Sequence, residues 1–322
     1  MMTSLVRALG ARCGALVDIL SSGSWTRPLL ADQPGVGTIY QIENRKLPFV
    51  FSTEKRALVQ ALRQRGSGPV WYCDGDERCL PLLERAGIGK DLICRARDLP
   101  RRDGEHLVEY WQRFARLSPS AAGGSAEDTV QVDPELQVSA TAAEEADRWL
   151  RSKGLAERQL LLIQPGNKRT MRRGFRRRPS NTKWWPESRW AAVIQALNRT
   201  HPQAAILMLG VPREHDLNQQ IIGLSGISGV INLARELPIP RLLALQSRAS
   251  AMISVDTGPA HSAAAVGCPV VVLFGVADPV RNLPRGGDTP VRYLVGHGSD
   301  GPSILEISVE QVLSEWQDLP KR

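Results

Sequence analysis

Six consecutive residues, Asp256-Thr257-Gly258-Pro259-Ala260-His261, bring a carboxylate, a hydroxyl and an imidazole together in a segment able to turn sharply. An apolar run ending at Val255 precedes them, and the small residues 262–266 and a second apolar run, 270–274, come after. That order is strand, polar turn, short helix, strand. Its polar residues sit at the carboxyl end of the first strand, where open parallel sheets bind ligands. Pro259 fits the first helical position, since the N–H it lacks has no partner there in any case. With Thr257 or Gly258 as the cap, the other N–H groups of that turn face an anion.

Two more strand ends carry polar residues. Gln164, Pro165 and Gly166 come after the apolar run 160–163 and lead into a basic segment that reaches Lys183. Gly210 and Glu214 come after the run 204–209. In one parallel sheet these ends share an edge. Together they offer cations and helix N-termini for phosphates, a carboxylate for paired hydroxyls, and an Asp/His pair for a polar ligand. A nucleotide-sugar uses all of these. Taken singly each has a plainer role: Glu214 can complement a helix dipole, and His261 can satisfy buried backbone groups. The sequence has no GxxxxGK[ST], GxSxG or HExxH, and Gly166 to Gly174 lacks GxGxxG. The five histidines, at 106, 201, 215, 261 and 297, show no metal-like pairing, so neither a metal nor a cofactor is expected.

The elements that must position these groups are those of an α/β protein. At 322 residues, two domains are the natural division. Composition is ordinary for a globular chain, with 42% hydrophobic and 23% charged residues. Five cysteines without CxxC spacing point to a reducing, cytoplasmic setting. No apolar run approaches 18 residues, and Arg7, Arg12 and Asp18 interrupt any signal-peptide core. The net charge of +8 is local: eight cations and no acid lie between Lys168 and Lys183, and the rest of the chain is balanced. Such a run is either a solvated loop or a phosphate-binding one. Only Phe175 interleaves it, which weighs against a nucleic-acid binder.

Residues 3–12 read as a helix capped by Thr3 or Ser4, ahead of a first strand at 16–20. Further helices are expected near 25–31, 54–65 and 80–86, and strands near 38–42 and 69–72. Leu107, Tyr110, Trp111 and Phe114 form a helical stripe that belongs to a core. Residues 118–133 lack periodicity and read as a loop. Thr141 with Glu144 forms a capping box for a helix over 141–152. The domain boundary is expected just after it, giving domains 1–155 and 156–322. From Leu160 strands and helices alternate, with a helical stripe at Trp190, Val193, Ile194 and Leu197. They end in an edge strand at 291–295 and a helix capped by Ser308, a pattern that demands a parallel sheet covered on both faces.

The segment DTGPAHSAAAVGCPVVVLFG resembles the signature of glycosyltransferase family 9, the heptosyltransferases of the bacterial lipopolysaccharide inner core. Upstream QPGN, NTKWWPESRWAAVIQAL, LMLGVPRE and ISVDTGPAH match it in order and spacing, so about half the chain carries the resemblance. It implies a GT-B fold, two Rossmann-like domains facing across a cleft. It also implies an inverting, metal-independent transfer of heptose from ADP-heptose to a lipid A–Kdo or core acceptor. By position, Lys183 contacts the donor diphosphate and Glu214 holds the ribose hydroxyls. Asp256 binds sugar hydroxyls, and Thr257, Gly258 and His261 frame the diphosphate and sugar.

Two departures stand out. The residues MMTSLVRAL resemble the family's segment just past its first strand and Gly-Asp turn, whose aspartate is the general base. Asp18 and Asp32 do not occupy that place, so the base is expected upstream of Met1 and the chain as written is expected to turn over weakly. The alternative is a nucleotide-sugar-binding member without catalysis. The second departure is a long basic loop, 167–181, read as a plain surface loop, as a lid over the donor diphosphate, or as a clamp on acceptor phosphates or the anionic inner-membrane surface.

Overall fold

The computed structural model describes residues 1–122, 132–167 and 181–322, and divides into two compact units, Met1–Asp133 and Pro134–Arg322. The basic run of the 167–181 loop lies almost wholly outside the described residues, and with it the expectation of a lid or a membrane contact there.

The first unit runs α1 (Met2–Cys13), β1 (Val17–Ser21), α2 (Thr26–Leu30), β2 (Val36–Gln41), α3 (Thr53–Arg65), β3 (Val70–Tyr72), α4 (Leu80–Arg85), β4 (Ile93–Arg95) and α5 (Leu107–Ala115). Helix α1 is capped by Met1 rather than by Thr3 or Ser4. Ser4 already lies inside the helix, and its hydroxyl donates to the Met1 carbonyl at 2.6 Å. β1 pairs with β2 and β3 with β4, both in parallel. Strand β4 has no signal in the sequence, because three residues, Ile-Cys-Arg, show no period. Two cores support these pairs. Leu5, Leu9, Trp111 and Phe114 belong to one, and Ile42, Leu58, Tyr72 and Leu83 to the other. The expected stripe of α5 is there, with Tyr110, Trp111 and Phe114 packed edge to face.

The second unit begins with α6 (Ala140–Ser152), so the division falls ahead of this helix and not after it. The reason is packing: Trp149 and Leu150 of α6 join Leu160, Leu162 and Leu245 in one buried cluster. Its cap is Ser139, whose hydroxyl accepts from the Ala142 N–H, rather than Thr141, which lies inside the helix. Next are β5 (Leu160–Gln164), α7 (Glu187–Thr200), β6 (Ala205–Met208), α8 (His215–Ser225), β7 (Ile231–Asn232) and α9 (Ile239–Arg248). Then come β8 (Ala251–Val255), α10 (Gly258–Ala265), β9 (Val270–Phe274), α11 (Pro279–Asn282), β10 (Val291–Val295) and α12 (Val309–Asp318). The six strands form one parallel sheet in the order β10-β9-β8-β5-β6-β7, with β10 at an edge as expected.

Both faces of this sheet are sealed. Leu161 and Ile163 of β5 enter a cluster with Trp185, Trp190, Ile194 and Trp316, while Leu160 and Leu162 enter the cluster on the other face. The period-two alternation of a strand thus fills two cores at once. From β5 the chain first proceeds outward to β6 and β7, then returns to β8 and proceeds the other way. The strand order therefore reverses between β5 and β8, the crevice at which open α/β sheets bind ligands.

Candidate functional site

Three of the predicted groups meet at the carboxyl end of β8. Lys183 lies 73 residues from Asp256 in sequence, yet its ammonium donates to the Asp256 carboxylate at 2.5 Å and to the Asp256 carbonyl at 2.8 Å. His261 Nε2 stands 3.7 Å from the other carboxylate oxygen, an ion-pair distance rather than a hydrogen bond. His261 Nδ1 is buried without a hydrogen-bond partner among the described residues. Burial pushes the Asp256 carboxyl up, but the approach of His261 and the hydrogen bond from Lys183 outweigh it and hold it below the usual aspartate value. Burial pulls the His261 imidazole below its ordinary value, against the pull of Asp256.

Thr257 and Gly258 stand where β8 turns into α10. Thr257 is the cap residue by backbone position, but its hydroxyl donates to the Val255 carbonyl at 3.2 Å and makes no cap hydrogen bond. Pro259 comes after Gly258 as the second helical residue. Pro259 has no N–H, and the Ala260 N–H donates to the Thr257 carbonyl at 3.1 Å, so the start of α10 presents the Gly258 N–H beside the Lys183 ammonium. A cation next to a helix N-terminus suits a phosphate.

The residues that hold Lys183 are ones that sequence reasoning missed. Its N–H donates to Asn181 Oδ1 at 3.2 Å, and its carbonyl accepts from Asn167 Nδ2 at 3.3 Å. Asn181 Nδ2 donates to Asn167 Oδ1 at 3.4 Å. Behind it Trp185 is buried against Trp190, ring centroids 4.9 Å apart, and donates its indole N–H to the Ile307 carbonyl at 3.0 Å. On the other side Gly275 ends β9, and a Cβ there would lie 1.7 Å from the Thr182 carbonyl oxygen. Only glycine admits that approach. The available signals were the asparagine two residues ahead of Lys183 and the glycine closing the 270–274 run.

Glu214 takes a place of its own, at the carboxyl end of β6 beside β5. It is buried, and its Oε2 accepts from the Val211 N–H at 3.0 Å and from Gln164 Nε2 at 3.4 Å. A Cβ on Gly166 would stand 2.5 Å from Glu214 Oε1, so the glycine after β5 makes room for this carboxylate. Burial raises its carboxyl above the usual glutamate range, against the Val211 and Gln164 hydrogen bonds. The three strand ends named from sequence thus belong to three neighbouring strands, β8, β5 and β6. Lys183, Asp256 and His261 form one cluster, and Glu214 joins it only through the β5 end.

The fold is that of a transferase built on the GT-B plan. The structure is similar to that titled E. coli ADP-heptose lps heptosyltransferase II, with a TM-score of 0.76 and 21% identity over 98% of this chain and 93% of that one. It is also similar to the E. coli heptosyltransferase WaaC with ADP, at TM-score 0.66 and 17% identity over 99% and 97% of the two chains. In sequence it is 27% identical to lipopolysaccharide heptosyltransferase 3 of Escherichia coli, over 82% of this chain and 76% of that protein. It is 24% identical to lipopolysaccharide heptosyltransferase 2 of Salmonella typhimurium, over 99% and 94%. The model of glycosyltransferase family 9 (heptosyltransferase) matches residues 92–289, and the chain belongs to that family. It is a glycosyltransferase of the heptosyltransferase family.

Proposed function

We propose that this chain transfers heptose from ADP-heptose to a lipid A–Kdo or core-oligosaccharide acceptor, with inversion and without a metal ion. One observation carries the donor reading: the Lys183 ammonium is held at the start of α10, at the point where the strand order reverses. Two solved relatives are titled as complexes with ADP and with ADP-2-deoxy-2-fluoro heptose. In this reading Lys183 and the Gly258 N–H at the start of α10 take the diphosphate and stabilise the charge that develops on the leaving ADP. Thr257, Gly258 and His261 frame the diphosphate and sugar, and Asp256 accepts from sugar hydroxyls. Glu214, its second oxygen against Gly166, accepts from the ribose hydroxyls. Lys183 is already paired with Asp256, so the diphosphate competes with a carboxylate for the same ammonium. The transfer takes place in the cytoplasm, at the inner-membrane face that carries the lipid acceptor. No helix among the described residues is long and apolar enough to cross a membrane.

A second reading, donor binding without turnover, has one observation in its favour. Both site carboxylates are engaged, Asp256 by Lys183 and Glu214 by Val211 and Gln164, so neither stands ready as the general base for an acceptor hydroxyl. Calorimetry and an ADP-release assay separate the two. Transfer requires ADP-heptose binding, acceptor-dependent ADP release and an inverted anomeric product. Binding without release leaves the second reading. Absence of ADP-heptose binding, with a folded protein, sinks both. Glu214→Gln is expected to weaken ADP binding about tenfold, the size of one charge-assisted hydrogen bond.

A further inference from the structure

The two most exposed large apolar side chains of the first unit, Val50 and Phe51, sit on one turn remote in sequence from every site residue. Leu47, Val50 and Phe51 are 36%, 67% and 74% exposed, on the segment that leaves the carboxyl end of β2. Phe49–Phe51 forms a single helical turn there. Asn44 Oδ1 accepts from the N–H groups of Lys46 and Leu47 at 3.1 Å each. The buried Lys55 donates its ammonium to the carbonyls of Arg45 and Leu47 at 2.9 and 2.6 Å, and Arg56 donates to the Val50 carbonyl at 2.5 Å. Ser52 caps α3 directly behind. An apolar tip held this firmly loses little further ordering entropy on insertion into a partner.

The charges around the tip are unbalanced. Lys46 and Arg56 are exposed and form no ion pair among the described residues, and the Arg85 guanidinium lies 4.7 Å over the Phe49 ring. Asp74 and Asp76 pair with Arg45 and Arg78, which leaves Lys46, Lys55, Arg56 and Arg85 against Glu43 and Glu54, an excess of positive charge around the turn. At the carboxyl end of the adjacent β1, Trp25 is also half exposed. A second copy of this chain fits poorly here, because a two-fold contact sets this cation-rich patch against the same patch of the other copy. Aromatic and aliphatic side chains ringed by cations suit an anionic lipid surface.

We propose that the turn over residues 45–56 docks the protein on an anionic bilayer, with Val50 and Phe51 in the boundary between headgroups and acyl chains. Lys46, Arg56 and Arg85 face the lipid phosphates. The proposal rests on the reading that the acceptor is a membrane lipid, but the surface it names is separate from the donor cluster. The test is co-sedimentation with vesicles of phosphatidylglycerol and phosphatidylcholine, against phosphatidylcholine alone, with no sugar acceptor present. Binding is expected only to the anionic vesicles and to weaken with salt. The double variant Val50→Ser/Phe51→Ser is expected to lose at least about tenfold in binding, on the scale of burying one large apolar side chain. Lys46→Glu is expected to lose about fivefold or more, the worth of one cation near such a surface. Transfer to a deacylated, water-soluble acceptor, and the circular dichroism of the variants, are expected to stay as in the parent. Unchanged vesicle binding by the double variant overturns the proposal and leaves the transferase reading intact. So does a parent protein that ignores vesicles and buries this face in a dimer seen by sedimentation. Vesicle binding that tracks the variants while no ADP-heptose is used keeps the docking surface and removes the transferase reading.

Discussion

In the second unit β5, β6, β8 and β9 are buried along their whole lengths within one six-stranded sheet, and the Lys183–Asp256 contact sits at their carboxyl edge. In the first unit every residue of β1 is half-buried, and the strands stand as two separate parallel pairs. Both units use parallel pairing, but only one seals it from solvent. Holding an ammonium against a carboxylate on top of a sheet requires that the strands beneath cannot shift. A strand buried on both faces has no free register, because a one-residue slip exchanges its two sets of side chains between two filled cores. The pairs of the first unit carry half-exposed side chains and have more freedom.

That contrast can be broken experimentally, most strongly in the sheets. Ile253→Ala, in the centre of β8, is expected to cost about 2–5 kcal/mol in urea unfolding, as a buried deletion does. Val17→Ala in β1 is expected to cost about 1 kcal/mol. Equal costs would erase the difference between the units. Next in size is Lys183→Ala, expected to lower kcat/KM about 10²–10³-fold through loss of a charge-stabilising donor, well beyond the modest fall in melting temperature from leaving the Asp256 carboxylate without its cation. If activity instead fell in proportion to stability, Lys183 would be a packing residue. Gly275→Ala should act at one remove: it forces the Thr182 carbonyl away from β9, with ADP binding about tenfold weaker as the ammonium is displaced. Donor affinity unchanged in a folded Gly275→Ala protein would mean that the segment around Lys183 is not held from that side.

The smallest effect concerns pH. The folded Asp256 carboxyl titrates below its ordinary value of 3.8. Between the two values the unfolded chain binds more protons, so this component of stability is present above pH 3.8 and is lost as pH falls through the folded value. Asp256→Asn is expected to flatten the acid limb of the stability–pH curve of the second unit. A parallel acid limb in the variant would show that the Lys183 contact does not stabilise the charged carboxylate.

Much of the second unit is legible in the sequence because its signals are local. The run 251–255, the small residues 262–266 and the run 270–274 state a βαβ crossover in their own order. The stripe of α7 needs only the 3.6-residue period. Reading fails where the determinant is a neighbour distant in the chain. Strand β4 is too short for a pattern and is defined by β3. The cap of α6 lies two residues ahead of the expected Thr141, because Thr141 and Ser139 are chemically alike and only backbone geometry separates them. The unit boundary falls on the other side of α6 from the expected one because the partners of Trp149 lie on β5 and α9.

By itself the sequence determined the residue types of the candidate site and the strand ends that carry them, since apolar runs and turn residues are written in consecutive positions. Only the tertiary structure decided that Lys183 reaches Asp256 across 73 residues, that Asn167, Asn181 and Gly275 fix the segment carrying it, and that Glu214 lies beneath Gly166. Those contacts depend on which strands stand side by side. Strand order comes from burying two faces of a sheet at once, a condition on the whole unit that no local stretch of sequence expresses.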